Sequence, residues 1–245
     1  GIEENAGIFF HDLGQRLLLS LHNFLRITYT AGLAVNAGAV TKGDKAILLP
    51  GSSGAGKSFL TAWLLRNSFS YLADTLACIE GDEQKALGLP QPLSIKKSAV
   101  QDLVGLLDIE QHRAKTIEGS ATELVPAHLF TGNGRTTADT SVALLIFPEF
   151  RSGATLSVEA LSPAQAALLL VANVVNNRRM PGLGLPLVSK VCKSVPALRL
   201  IYGEFNQLPG VLDRLMGIIL DYKMTPTEVV ALTSPFNRAR HLDEL

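Results

Sequence analysis

The sequence has no surplus of either charge: 22 Lys plus Arg stand against 22 Asp plus Glu in 245 residues. Without a basic surplus the chain offers no electrostatic footing for nucleic acid or an anionic membrane, so neither is expected as a partner. Cysteine is scarce. Cys78 and Cys192 lie far apart in apolar surroundings, which excludes a disulfide scaffold, a zinc module and a Cys-x-x-Cys redox site. Reduced, buried thiols in a cytoplasmic protein are the expectation. No run reaches the roughly 18 apolar residues of a membrane helix. The opening GIEENAG lacks the basic start and apolar centre of a secretory signal. His11, His22, His112, His128 and His241 show no metal-ligand spacing. There is no internal repeat, low-complexity tract or linker.

What is present is apolar. Hydrophobic residues are 47% of the chain and charged ones 18%, a globular composition long enough for a large core. Leu13, Leu17, Leu21, Phe24 and Leu25 recur at helical spacing, so residues 9–30 read as an amphipathic helix. AGLAVNAGAV reads as a small-residue strand and AILLP (46–50) as a short buried strand. FLTAWLLRN follows as a helix with Trp63 in the core, and YLADTLACIE (71–80) as one further strand. GDEQKALGLPQPLS reads as a polar loop, and residues 98–140 as a variable insertion with short helices. SVALLIFPEF is a buried strand, and LSPAQAALLLVANVVNNRR a helix capped by Ser162, Pro163 and Gln165. ALRLIYGEF is a late strand and LPGVLDRLMGIIL a closing helix. This alternation predicts one α/β domain over residues 1–245.

Between the second strand and the helix stands Gly51-Ser52-Ser53-Gly54-Ala55-Gly56-Lys57-Ser58, a full G-x-x-x-x-G-K-[ST]. Glycines let backbone N–H groups converge on phosphate oxygens, and the following helix adds its N-terminal dipole. Lys57 would neutralise the β- and γ-phosphates of ATP, and the Ser58 hydroxyl would hold Mg²⁺. The bland reading, a chance glycine turn, does not explain the ordered strand, loop and helix. No N-K-x-D guanine signature and no Arg-rich lid accompany the loop. ALLIFPEF ends in Glu149 after a proline, a poor imitation of an ATPase strand. NNRR at 176–179 reads as a solvated helix end. Asp74, 17 positions beyond Lys57, has two readings: a carboxylate that holds Mg²⁺ or deprotonates a hydroxyl, or a strand-end cap. Tyr202 and Glu204, at a strand end, could approach the site, but packing and solvation are the simpler reading.

Taken together, ILLPGSSGAGKSFLTAWLL, YLADTLACI, LPQPLSIKKS, LLIFPEFRSGATLSVEALSPAQAALLLVANVVN and VPALRLIYGEFNQLPGVLDRLM resemble the HPr kinase/phosphorylase superfamily. The closer resemblance is to its short stand-alone HPr-kinase-related kinases, over most of Val35 to Met216. It implies a P-loop, phosphoenolpyruvate-carboxykinase-like α/β domain with a mixed central sheet flanked by helices. It also implies ATP and Mg²⁺ as cofactors and a homo-oligomer of unspecified size. Carried over, Gly51 to Ser58 would bind ATP and Asp74 would be the metal-linked or general-base carboxylate. Lys96 would contact phosphate or substrate, as would Arg151, two residues beyond Glu149, where the family often has a basic residue. Asn36 stands where the family commonly has His, and Thr75 where it has a second Asp. Asn cannot titrate and Thr is a poor base. The expected activity is Mg²⁺-dependent transfer of the ATP γ-phosphate to a Ser or other hydroxyl of a peptide or small protein. The alternatives are an ATP-binding recognition module without transfer, and a small-molecule kinase or ATPase.

Overall fold

The computed structural model describes residues 2–81, 83–97, 115–131 and 140–204, together with 107, 112, 208, 210, 216, 217, 220, 221 and 223–230. Its centre is a mixed eight-stranded sheet in the order β10-β11-β9-β2-β1-β4-β5, with β3 also paired to β1. The strands are β1 (Gly32–Lys42), β2 (Lys45–Pro50), β3 (Ser70–Ala73), β4 (Leu76–Glu80), β5 (Lys85–Gly88), β9 (Ser141–Phe150), β10 (Ser157–Ala160) and β11 (Ala197–Tyr202). β2, β9 and β11 run parallel and the remaining pairings are antiparallel. β6 (Leu93–Lys96), β8 (Thr122–Val125) and β7 (Ile117–Glu118) form a second, three-stranded sheet. The helices are α1 (Ile2–Thr28), α2 (Lys57–Arg66), α3 (Pro163–Val171) and α4 (Leu185–Ser194). A mixed central sheet flanked by helices is therefore present, as expected.

Local chemistry accounts for the elements that frame the site. β1 is made of small residues because it is crowded on both sides. A Cβ on Gly38 would meet Thr61 Oγ1 at 2.7 Å, and one on Gly32 would lie 2.1 Å from the Ile79 carbonyl oxygen. α2 buries Leu60, Trp63, Leu64 and Leu65 against the sheet. Each contributes about 2 kcal/mol of apolar transfer, which fixes the helix that the phosphate loop enters. Leu93, Ile95 and Val125 of the small sheet share that core. On the opposite face α3 and α4 pack Ala166, Leu170, Val188 and Val191 over Leu48, Leu145 and Ala197. α3 starts as its sequence predicts, with Ser162 and Gln165 closing a reciprocal capping box around Pro163.

Several expectations need correction. Residues 71–80 are two strands, because the chain breaks at Asp74 and Thr75. β3 pairs with β1 at Ala39–Thr41 and β4 pairs with it at Gly32–Asn36. Between the two pairings, Ala37 N–H donates to the Thr75 carbonyl at 3.1 Å. The stretch expected as a loop after Glu80 contains β5, which also reaches β9 at Lys85 and Ser141. The described part of the 98–140 insertion includes β7 and β8, so it builds sheet. α3 stops at Val171 and Asn177–Arg179 is a separate 3₁₀ turn, so NNRR is not a helix end. Asn176 is buried there, its amide donating to the Tyr29 and Gly32 carbonyls and accepting from Ala34 N–H. The closing helix expected at 208–220 falls mostly outside the described residues.

The largest departure is in α1. Its sequence periodicity marks Leu13, Leu17, Leu21, Phe24 and Leu25 as the face to bury, yet only Leu25 is half-buried and the other four are exposed, Leu17 to 63% and Phe24 to 61%. The less exposed stripe is His11, Gly14, Gln15, Leu18, His22, Leu25 and Tyr29. It is pinned mainly by polar contacts. His11 Nε2 meets Thr122 Oγ1 at 3.1 Å, His22 Nε2 meets Gln91 Oε1 at 3.1 Å, and the Tyr29 hydroxyl donates to Glu80 Oε1 at 2.5 Å.

Candidate functional site

The phosphate loop leaves the carboxyl end of β2, on the side of the sheet where its parallel neighbour β9, and β11 beyond it, also end. Ligands of open α/β sheets bind outside those ends. Three strands hold the loop. Gly51 N–H donates to the Asn36 carbonyl of β1 at 3.2 Å, Phe150 N–H of β9 to the Ala55 carbonyl at 3.1 Å, and the Tyr202 hydroxyl of β11 to the Gly56 carbonyl at 3.0 Å. Gly54 and Gly56 have φ of +86° and +98°, which only glycine adopts without strain. A side chain on Gly56 would also collide with Tyr202, its Cβ 2.4 Å from the hydroxyl.

Lys57 opens α2 with a buried side chain whose Nζ donates to the Gly51 and Ser52 carbonyls at 2.8 and 2.9 Å. Burial lowers its pKa, and the Asp74 charge opposes that. An incoming phosphate would take over an amine already aimed at the loop.

Asp74 sits at the break between β3 and β4, 1% exposed. Its Oδ2 accepts from the Ser58 hydroxyl at 2.9 Å and from Ser94 N–H at 3.1 Å. Its Oδ1 is buried with no hydrogen-bond partner among the described residues. Burial pushes its pKa up to about 6, against the lowering effect of Ser94, Ser58 and Lys57. An unsatisfied buried oxygen is costly unless a ligand completes it. The strand-end-cap reading explains Oδ2 and leaves Oδ1 without a purpose.

Ser53, Gly54, Gly56, Lys57 and Ser58 line a single cavity of about 490 Å³ with Asn36, Asp74, Thr75 and Lys96. Lys96 ends β6 and its Nζ lies 3.4 Å from where a Cβ on Gly54 would stand. Arg151 is not brought in. Its guanidinium is engaged by Glu149, which also accepts from Arg199 at 2.8 Å. Arg199 and then Arg151 hold the Glu149 carboxyl below its usual pKa. Neither Glu149 nor Arg151 lines the cavity.

Mg²⁺ takes oxygen ligands and needs only one or two from protein, the rest coming from phosphates and water. The Ser58 hydroxyl and the Asp74 carboxylate, already in contact, fit that demand. No group of three or more His, Cys, Asp or Glu that would hold a metal occurs among the described residues.

The cavity also contains residues that sequence reasoning missed: Gln15, Leu18, Leu19 and His22 of α1, Gln91, Ser94 and Phe150. The α1 group is spaced 15, 18, 19 and 22, a helical stripe visible in the sequence but outranked by the leucines. Tyr202, read from the sequence as a strand-end residue that could approach the site but more simply as packing, does touch the loop. It reaches the loop only because β11 lies next to β9, and its ring meets Phe150 edge-on at 5.5 Å between centroids.

No family model and no curated protein matches this chain. Among solved structures the chain is similar to the HPr(Ser) kinase/phosphatase from Coxiella burnetii, at 11% identity and a TM-score of 0.33, over 86% of this chain and 99% of that one. A likeness at that score leaves fold and site to be argued from their own geometry.

Proposed function

We propose that this chain is an ATP-dependent phosphotransferase of the HPr-kinase-related kind, with a phosphoenolpyruvate-carboxykinase-like P-loop fold. It moves the γ-phosphate to a hydroxyl of a peptide or small protein. The observation that supports this reading best is Asp74 Oδ1, a buried carboxylate oxygen without a partner, whose sister oxygen is held by the phosphate-loop residue Ser58.

The loop N–H groups and the α2 N-terminus receive the phosphates, and Lys57 balances charge that builds on the β–γ bridge as it breaks. Mg²⁺, when bound by Ser58 and Asp74, supplies further charge neutralisation and orients the phosphates. The acceptor hydroxyl loses its proton to Asp74. Its oxygen forms the new bond to the γ-phosphorus as the β–γ P–O bond breaks, and ADP leaves with the electron pair. A carboxyl with a pKa near 6 is ionised at neutral pH and basic enough to take a proton. Lys96, near Gly54, adds positive charge over the loop. Asn36 and Thr75 line the same space as neutral hydrogen-bonding groups, without a second titrating base.

The test is transfer of label from γ-labelled ATP with Mg²⁺ to Ser-containing peptides, compared in wild type, Lys57→Ala and Asp74→Asn. Transfer lost in both variants supports the reading. ATP binding with no transfer to any acceptor, water included, replaces it with a recognition module.

A further inference from the structure

The cavity has two unlike halves, and a series of hydrogen bonds gives their order. Ser58 Oγ donates to Asp74 Oδ2, Ser94 N–H donates to that same oxygen, and the Gln15 amide reaches Ser94 Oγ at a long 3.5 Å. The series runs from the loop through Asp74 and Ser94 to α1. ATP must place its γ-phosphate at Lys57 and Ser58. The group that Asp74 deprotonates must then approach from the α1 side.

That side has a distinct chemistry. Its wall is Leu18, Leu19, Gln15 and His22 of α1, facing Leu124 and Gln91. Among the described lining residues its polar groups are amides, hydroxyls and one imidazole. The two lysines, Lys57 and Lys96, belong to the loop side. A carboxylate or phosphate entering there would lose water and find no cation, and an ammonium would find only the Asp74 carboxylate that has to take the hydroxyl proton. Gln91 is fixed, its carbonyl accepting from the Tyr71 hydroxyl at 2.6 Å and its Oε1 meeting His22 Nε2 at 3.1 Å. In the neutral tautomer that donates Nε2–H to Gln91, Nδ1 is an acceptor. Partial burial favours that neutral form. Amide donors and acceptors, a neutral imidazole acceptor and leucine side chains match a peptide backbone with apolar side chains.

We infer that the cleft between α1 and the β6–β8 sheet is the acceptor site, and that it takes an uncharged peptide segment with an apolar residue beside the Ser or Thr hydroxyl. The inference rests on the phosphotransferase reading above. His22 and Gln15 act in it as positioning residues.

The experiment uses the full chain, Mg²⁺, γ-labelled ATP and capped pentapeptides Gly-X-Ser-X-Gly in which X is Leu, Lys or Glu. The Leu peptide is expected to be labelled with a kcat/KM about tenfold or more above the Lys and Glu peptides, the scale of one misplaced charge or lost apolar contact. Leu19→Glu and His22→Ala should raise the acceptor KM about tenfold with the KM for ATP unmoved, a split that a general loss of structure does not produce. Gln15→Ala repeats the test should Leu19→Glu fail to fold. Leu17→Gln, on the exposed face of the same helix, should change neither constant. Equal labelling of the three peptides, or a preference for Lys or Glu, overturns the inference and leaves the transferase standing. A rise in the KM for ATP in Leu19→Glu or His22→Ala overturns it too, by placing the adenosine in this cleft. Transfer to glycerol or free serine with no peptide labelled overturns the peptide class. ATP bound with no transfer even to water removes the underlying reading itself.

Discussion

The Tyr202 hydroxyl reaches from the end of β11 to donate to the Gly56 carbonyl at 3.0 Å, in the space a Gly56 side chain would fill. The phosphate loop is thus propped by a residue 146 positions away in the chain. Tyr202→Phe keeps the ring and removes the donor, leaving the Gly56 carbonyl with only the Leu60 N–H that it also accepts at 3.0 Å. It should cost about 1 kcal/mol of stability and weaken ATP binding several-fold, read by thermal denaturation with and without Mg-ATP. Gly56→Ala should lose ATP binding altogether. The double variant Gly56→Ala with Tyr202→Phe should recover little, because removing the hydroxyl does not relieve the left-handed φ of +98°.

This prop shows what was and was not legible in the sequence. Strand, glycine loop and helix were legible because each rests on local chemistry: a short apolar run, convergent glycines, a helical repeat. Asp74 was visible as a candidate, but the strand break that frees its carboxylate was not. YLADTLACIE alternates well enough to read as one strand, and only the pairing of β1 with both β3 and β4 splits it. Arg151 lay on the expected side of the Phe-Pro strand, and a neighbouring carboxylate, Glu149, engages it. α1 misled for a physical reason. Hydrophobic periodicity identifies the face with most to gain from burial, whereas the face this helix turns to the core is chosen by His11, Gln15 and His22 finding polar partners.

Lys57 donates to two loop carbonyls, at 2.8 and 2.9 Å, and its burial is costly for a cation. Lys57→Met removes that cost along with the phosphate contact. The variant should be as stable as wild type or slightly more so without nucleotide, yet lose about a hundredfold in ATP affinity, a scale fitting the loss of a desolvated charge-assisted contact. Calorimetric titration with Mg-ATP beside a ligand-free melt reads both effects. A large loss of stability without nucleotide would show instead that the amine is a structural brace of the loop.

Asn176 sews the end of α1 to β1, donating to the Tyr29 and Gly32 carbonyls and accepting from Ala34 N–H, all at about 3 Å. It is 1% exposed. Asn176→Ala removes the side-chain partner of three backbone groups, two of them buried, and should cost about 2–4 kcal/mol. Asn176→Asp should cost more than Asn176→Ser, because a carboxylate would face two carbonyl oxygens. Chemical denaturation of the three variants ranks them. α1 walls the acceptor side of the cavity, so any variant that still folds should also lose transfer.

Asp74 ties stability to pH, and the sign follows from its raised pKa. Below about pH 4 the carboxyl is protonated in both folded and unfolded chains and contributes no difference. Between about 4 and 6 the folded chain holds the proton while the unfolded chain releases it, so stability falls as pH rises. Above about 6 the loss is complete and constant. Asp74→Asn never carries the buried charge. Its stability relative to wild type should therefore rise between pH 4 and 6 and level off about 3 kcal/mol above its low-pH value at pH 7 to 8, on the scale of about 1.4 kcal/mol per pKa unit. Transfer runs the other way: wild-type turnover should fall on the acid side, where the carboxyl is protonated, with a midpoint below about 6 because Mg²⁺ beside Asp74 favours the carboxylate, and Asp74→Asn should be inactive at every pH. Mg²⁺ should raise the melting temperature of wild type at pH 7.5 and leave that of Asp74→Asn nearly unmoved. Melting curves across pH 4 to 8, with and without Mg²⁺, measure all of this on one pair of proteins. A wild type that melts higher than Asp74→Asn at pH 8 without Mg²⁺ would mean that the ionised carboxylate is a structural anchor in the empty protein, and would count against its assignment as the base.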